Sequence, residues 1–521
     1  MSVKCLIFWK DTDGNVVMNL ISLQFGGFFI VTLIIYYLVP LKFRWCALLA
    51  ASAVFYLLSA APYTMVYLFF SIVSIYLASR YIARESSKYR KPVYVLAIIA
   101  NIMLLALLKY INGLSSTSST LLKVFGISLP KLELGWIASL GISFYTLQLI
   151  GYLTDVYWTI SPAQKSIAKL ALFSSYFPSI SSGPILRYGQ VESDLFTGHK
   201  ASYKNITFGM QRMLWGLFKK MIVAERMAAI ARPIFTDIDI YTGIWLWIGL
   251  FAAVIQIYAD FSGNMDIILG ASECFGVKLP ENFRQPFFSL TIQEFWQRWH
   301  ISLGSWLRDY IMYPLLRSKM CVHLGKFNRR HFGKKASKMV PTFFAMFILW
   351  FANGIWHGGY LKHMVAFMWF WFAVTAGQLL DPFYKRIVNH LKINTGYFIW
   401  RSFQQVRTFL VYSVGILFFY SQSLTHVILT IKKMFNTNNF FPDAVFKLLD
   451  NKINIHVLII SLIILFCVDA YQNKGNRIRE KLANQNLFFR WAVLFILIFS
   501  ILLFGIYGPG YNPADFIYAG F

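Results

Sequence analysis

ISLQFGGFFIVTLIIYYLV, residues 21–39, is a run of 19 residues without a charge, followed at once by Lys42 and Arg44. At a rise of about 1.5 Å per residue such a run crosses a hydrocarbon core of about 30 Å. Working outward, comparable runs recur at about 45–61, 64–79, 92–108 and 136–157. Further runs lie at about 340–356, 365–380, 407–420, 455–470 and 491–507. Basic clusters follow some of these runs and not others. Arg80, Arg84, Lys88, Arg90 and Lys91 face only Glu85, whereas 112–120 reads as a Gly/Ser/Thr-rich loop without charge. Alternation of this kind places the basic stretches in the cytoplasm and the N-terminus outside.

The composition excludes most other classes. Of 521 residues 57% are hydrophobic and 14% charged, against about 25% charged in soluble domains. With 18% aromatic residues the chain is not disordered. The net charge of +27 sits mostly in short segments between apolar runs, so it reads as membrane topology and not as nucleic-acid binding. Cys5, Cys46, Cys274, Cys321 and Cys467 are scattered, which suggests neither a disulfide framework nor a zinc site. Lys4, Lys10, Asp11 and Asp13 precede any long apolar run, which is unlike a cleavable signal peptide.

The middle of the chain differs. Between 161 and 308 the apolar runs are short and broken by polar residues, as in FPSISSGPILR (177–187) and YADFSGNMDIILG (258–270). Irregular backbone at membrane depth is tolerated only where protein or a water-filled cavity satisfies it. The stretch reads as two crossings, near 208–223 and 243–258, with re-entrant or interfacial helices. The segment 317–338 carries eight Lys/Arg and no acid and reads as a cytoplasmic loop. It suits either anionic headgroups or an acidic partner. The total is about 11–12 crossings in a single membrane-embedded domain over 1–521. Its core spans 20–380, with the region 290–360 taken up below, its C-terminal helices 400–510 and its aromatic tail 511–521.

No Walker loop, HExxH, GxSxG or dinucleotide fingerprint is present. Two of the nine histidines lie in distinctive settings, while His363, His323 and His331 fall in or near loops. His357 ends WFANGIWHGG (350–359), with Asn353 one turn earlier on the same helical face and a Gly-Gly helix end after it. A break at Asn353–Gly354 would bring it nearer the midplane. His300 lies in TIQEFWQRWHISLGSWLRDYIMY (291–313). Read as one helix, this segment carries Trp296, Trp299, Trp306 and Tyr310 on one stripe and Gln293, Gln297, His300 and Gly304 on another. Each histidine also has a plainer reading, a satisfied core residue for His357 and an interfacial anchor for His300. Two histidines without a carboxylate cluster or metal spacing suit general base catalysis, in which imidazole takes the proton of a hydroxyl attacking an acyl carbonyl.

WQRWHISLGSWLRDYI (296–311) followed by NGIWHGG (353–359) resembles the membrane-bound O-acyltransferases, closest to their bacterial alginate and teichoic-acid branch. LGISFYTLQLIGYLTDVY (140–157), YFPSISSGPILR (176–187), YADFSGNMDIILG (258–270) and LPENFRQPFF (279–288) resemble that branch too. The resemblance covers about 20–360 well and the C-terminal third loosely; 1–19 is longer than the family pattern leads one to expect, and 436–452 has no counterpart in it. It implies an all-α ring of membrane helices around a central funnel in the plasma or inner membrane. It implies His357 as catalytic base and His300 as the second histidine, with Asn353, Trp356, Gln297 and Trp299 shaping the substrate pocket. The donor would be acetyl-CoA or an acyl-carrier-protein thioester, the carrier docking on the basic segment 317–338. An extracytoplasmic acetyltransferase would complete transfer to a surface polysaccharide. The ending FIYAGF (516–521) is similar to the aromatic tail of a D-alanylation partner, which makes Tyr518 a candidate acyl relay. A saccharide transporter or flippase and a non-catalytic scaffold are the alternatives.

Overall fold

A computed structural model describes residues 18–84, 88–128, 130–132, 139–436 and 454–507. The described residues are helical, with one isolated antiparallel bridge between Phe283 and Trp299. Helices α1 (Leu23–Leu38), α2 (Arg44–Ser59), α3 (Met65–Ile82) and α4 (Arg90–Leu105) follow the apolar runs of the sequence. After them come α5 (Ile111–Val124), α6 (Ile142–Tyr157), α7 (Ile167–Ser175) and α8 (Tyr188–Phe196). The centre is formed by α9 (Tyr203–Leu217), α10 (Glu225–Thr236) and α11 (Ile244–Cys274). The site region comprises α12 (Ile292–Arg298), α13 (Ile301–Leu307), α14 (Tyr313–Leu316), α15 (Lys319–Trp356) and α16 (Leu361–His390). The chain closes with α17 (Phe398–Tyr420), α18 (Leu424–Met434), α19 (Ile455–Asn473), α20 (Ile478–Ala483) and α21 (Leu487–Phe504).

Eight helices among the described residues are long and apolar enough to cross a membrane. The sequence count of 11–12 also takes in shorter apolar helices such as α1 and α6, of 16 residues each. In α6, 15 residues from Ile142 to Val156 are buried, so its apolar character serves packing inside the protein.

Three other expectations are corrected. The Ser/Thr-rich stretch 112–120 is helical, within α5. A Cβ on its Gly113 would lie 2.0 Å from the Gly358 carbonyl oxygen, and Thr117 Oγ1 donates to the Gly359 carbonyl at 2.8 Å. Small residues here serve close approach, which outweighs their poor helix propensity. The basic stretch 317–338 is also mostly helical, bent at Gly333 (φ 83°), and its eight Lys/Arg are exposed. The chain therefore breaks at Gly333 and runs on as helix through Asn353–Gly354. Finally, 258–270 is continuous helix inside α11, not broken backbone.

The polar residues that suggested breaks in α11 are instead satisfied by α9 and the wide π turn at Phe218–Ala224. Asp266 pairs with Arg212 at 2.8 Å and Lys219 at 2.6 Å, and Lys219 also donates to Ser262 at 2.9 Å. Lys220 pairs with Asp260 and, at 3.3 Å, with Glu225. Buried charges are tolerated where they neutralise one another. Glycines allow the contact: a Cβ on Gly216 would lie 2.5 Å from the Gly263 oxygen, and one on Gly209 2.5 Å from the Gly270 oxygen. The pairing 209 with 270 and 216 with 263 makes α9 and α11 antiparallel at near backbone contact.

Candidate active site

The chain enters the site through α12. Thr291 caps it by accepting the Glu294 N–H at 3.1 Å, and Glu294 in turn accepts from Leu290 N at 2.8 Å. The segment 291–313 is not one helix. Trp299 is extended, His300 is left-handed (φ 47°, ψ 51°), and helix resumes at Ile301. The break divides the expected aromatic stripe. Trp296 and Trp299 pack on Tyr412, while Trp306 donates to the Leu147 carbonyl at 2.8 Å and Tyr310 to Asp155 at 2.8 Å.

A non-glycine residue in the left-handed region needs over-determination by its surroundings. Asn282 supplies it. Its Oδ1 accepts the Ser302 N–H at 2.9 Å, its Nδ2 reaches Met265 Sδ at 3.3 Å, and Nδ2 lies 3.2 Å from His300 Nδ1. Oδ1 lies farther from Nδ1, at 3.4 Å, so the shorter contact has His300 Nδ1 accepting, which assigns the proton of the neutral ring to Nε2. Ile301 N also donates to the Asn282 carbonyl at 3.1 Å, and Phe261 of α11 meets the His300 ring edge-on at 4.9 Å.

The second histidine arrives on α15. The helix ends at Trp356, His357 caps it, and Gly358 and Gly359 turn the chain at φ 120° and 71°. The Gly-Gly helix end read from sequence is formed. Trp356 stands between the histidines, its ring 5.8 Å from His300 and 4.7 Å from His357. Both imidazoles are buried, His300 to 4% and His357 to 3% exposure.

Gln297, Trp299, His300, Asn353 and His357 line one cavity of about 300 Å³, which runs past Met346, Gln378 and Arg308. Five of the expected site residues therefore meet on one surface, and Trp356 packs behind them. Asn353 shares the face of His357 as its spacing predicts, and its amide oxygen meets no donor among the described residues. The walls are mostly aromatic and aliphatic (Trp296, Trp350, Phe367, Phe370), with a few polar groups among them, the usual composition of a small-molecule site. Among the described residues no group of His, Cys, Asp and Glu could hold a metal ion. Tyr518 and the tail 511–521 lie outside the described residues.

Three residues were not singled out by sequence. Asn282 lies inside LPENFRQPFF, where it had been part of a resemblance without a role. His363, read as lying in or near a loop, is 3% exposed and stacks on Phe419 at 5.2 Å, a ring that His357 also meets edge-on at 5.6 Å. Lys109 lies on a π turn (Ala106–Tyr110), with Nζ 2.6 Å from Ser143 Oγ and 5.4 Å from the centre of the Trp356 ring. Such turns often mark functional sites, which is the one signal that distinguishes Lys109.

The profile of the membrane-bound O-acyltransferase family matches residues 162–422, half of the chain and every residue that lines the cavity. The chain belongs to the membrane-bound O-acyltransferase family. It is 29% identical to the "Probable alginate O-acetylase AlgI" of Pseudomonas aeruginosa over 71% of this chain and 69% of that one. It is 27% identical to the peptidoglycan O-acetyltransferase of Helicobacter pylori, over 60% of each chain. It is 28% identical to the teichoic acid D-alanyltransferase of Bacillus subtilis, over 56% of this chain and 69% of that one. As a member of the membrane-bound O-acyltransferases it is a multi-pass membrane protein and an O-acyltransferase. The transporter and scaffold alternatives give way to that membership.

Proposed function

We propose that this enzyme is an O-acetyltransferase of the inner membrane, moving an acetyl group from a cytoplasmic thioester toward hydroxyls of a cell-surface polysaccharide. The observation that carries the reading is the meeting of His300 and His357, across Trp356, on one cavity inside the matched region. The alginate and peptidoglycan relatives favour acetyl as the acyl group.

In this reading the thioester of acetyl-CoA or of an acyl-carrier protein enters the cavity at the end marked by Arg308, Met312 and Gln378. An acidic carrier would dock on the basic segment 317–338, which follows directly on the helix bearing Arg308 and Met312. His357 takes the proton from the acceptor hydroxyl as its oxygen attacks the carbonyl carbon. His300, held with its proton on Nε2, donates toward the carbonyl oxygen as negative charge builds there. The tetrahedral adduct collapses by breaking the C–S bond, and the thiolate leaves with the proton that His357 took. Ester and thiol are the products. Trp356 and Asn353 hold the two imidazoles and the reacting groups in register.

The acceptor in the cavity is either a saccharide hydroxyl or, as a relay, the phenol of Tyr518, whose ester an extracytoplasmic transferase would then consume. Base-labile acetate released from surface polysaccharide, compared in cells with wild type, His357→Ala or no protein at matched expression, tests the reading. Acetate restored by wild type alone supports it. Equal restoration by His357→Ala overturns the assignment of the base, and release of D-alanine instead of acetate overturns the acyl group. Tyr518→Phe removes acetate transfer if the relay operates and leaves it intact if it does not.

A further inference from the structure

A second concavity, far from the histidines in sequence, lies between α3 and α4. It has a volume of about 570 Å³ and is lined by Ser74, Leu77, Ala78, Arg80, Tyr81, Arg84, Val93, Leu96, Ala97 and Ala100. Ala78 and Ala97 are buried and form its floor, while Leu77 and Leu96 are 60% and 69% exposed and form its rims, so it opens on the outer face of the bundle. One end is polar and positive. Arg80 in the last turn of α3 and Arg84 two residues past its end both line this end with Tyr81, and both arginines are exposed. Neither meets a carboxylate among the described residues. The other end closes at Ser74, whose hydroxyl accepts from Asn101 Nδ2 at 3.0 Å.

The dimensions suit one class of ligand. Ser74 to the end of α3 at Ile82 spans eight residues, about 12 Å at the helical rise, and Arg84 lies just beyond, so the groove is a little under half of a hydrocarbon core of about 30 Å. A groove about one leaflet deep, apolar along its length and doubly cationic at its mouth, matches an acyl chain below a negatively charged phosphate headgroup. Arginine binds phosphate through paired N–H donors, and basic pockets between membrane helices are a recurrent headgroup site. A zwitterionic lipid brings its own cation to the same mouth and leaves the two arginines without net neutralisation. We propose that the α3–α4 groove is a binding site for a phospholipid with an anionic headgroup, its phosphate on Arg80 and Arg84 and one chain on Ala78, Ala97 and Ala100.

The test uses the purified full-length protein. It is incubated with a mixture of phosphatidylglycerol and phosphatidylcholine, and the retained lipid is counted by native mass spectrometry. Wild type retains phosphatidylglycerol in preference. Arg80→Gln with Arg84→Gln lowers that retention, by about fivefold in affinity for each charge. Ala97→Phe, which fills the floor and leaves both arginines in place, lowers it as well. Undiminished retention by the double arginine variant overturns the proposal. Undiminished retention by Ala97→Phe also does, because the arginines would then act as ordinary surface charge. A measurement on wild type alone guards against misfolded variants. Phosphatidylglycerol with a photoreactive chain crosslinks to Leu77, Leu96 or Ala100, and labelling spread evenly over the exposed apolar helices overturns the assignment.

Discussion

His357 and His300 differ in how their backbones hold them. His357 caps a helix and is followed by two glycines, a geometry that costs little. His300 occupies the left-handed region and depends on Asn282 to stay there. Removing His357 takes away the proposed base itself, and His357→Ala is expected to lower the rate constant of transfer by about 10²–10⁴-fold at unchanged protein level. Asn282→Leu leaves both histidines in place but removes the groups that orient His300. Misplacement of a catalytic group by about 1 Å costs on the order of 10²-fold, so this variant should lose rate with little change in KM for the thioester. A variant whose KM rises while its rate holds would place Asn282 in binding instead. At this scale the sequence was legible where chemistry is written in flanking residues. The Trp-His-Gly-Gly ending announced both the histidine and the helix end. Asn282 and His363 were not legible, because each becomes part of the site only through contacts with distant segments.

Among the elements, the closest approaches are set by glycines. At Gly216 an added side chain has no room against the Gly263 carbonyl, and the helices must separate to admit it. Gly216→Val is expected to lower stability by about 1–3 kcal/mol, the range for overpacking, read as a lower melting temperature in detergent. Gly113→Val acts differently. It pushes α5 off the turn that follows His357, so activity should fall more than stability does, as melting curves and acetyl-transfer rates on the same preparation would reveal. The Ser/Thr-rich composition of α5 had suggested a loop because helix propensity alone disfavours it. Packing against the Gly358–Gly359 turn, with Thr117 donating to a turn carbonyl, supplies what propensity lacks. Similarly, the break at His300 was invisible to periodicity, since the stripe of tryptophans keeps helical spacing across a residue that is not helical.

Across the whole molecule, the charged cluster on α9, α10 and α11 joins segments that apolar-run counting had separated. Lys219→Met leaves Asp266 with Arg212 as its remaining cation. Removing one partner of a buried pair costs about 3–5 kcal/mol, and the surviving arginine puts this variant toward the lower figure. Adding Asp266→Asn to Lys219→Met should recover part of the loss, so that the double variant is more stable than the sum of the singles. Additivity in melting experiments would refute a coupled cluster.

Hydropathy and charge by themselves determined that this is an all-helical, multi-pass membrane protein, because so many apolar runs of this length leave more apolar surface than they can bury against one another, and the remainder needs hydrocarbon. Local motifs by themselves pointed to His300 and His357 and to the family. Only tertiary structure decided which apolar helices are core and not surface, that 258–270 is a continuous charged helix, and that Asn282, His363 and Lys109 surround the two histidines. The physical reason is that a run of residues states its preference for water or hydrocarbon locally. The partner that neutralises an aspartate, orients an imidazole or accepts a close-packed glycine lies dozens to hundreds of residues away.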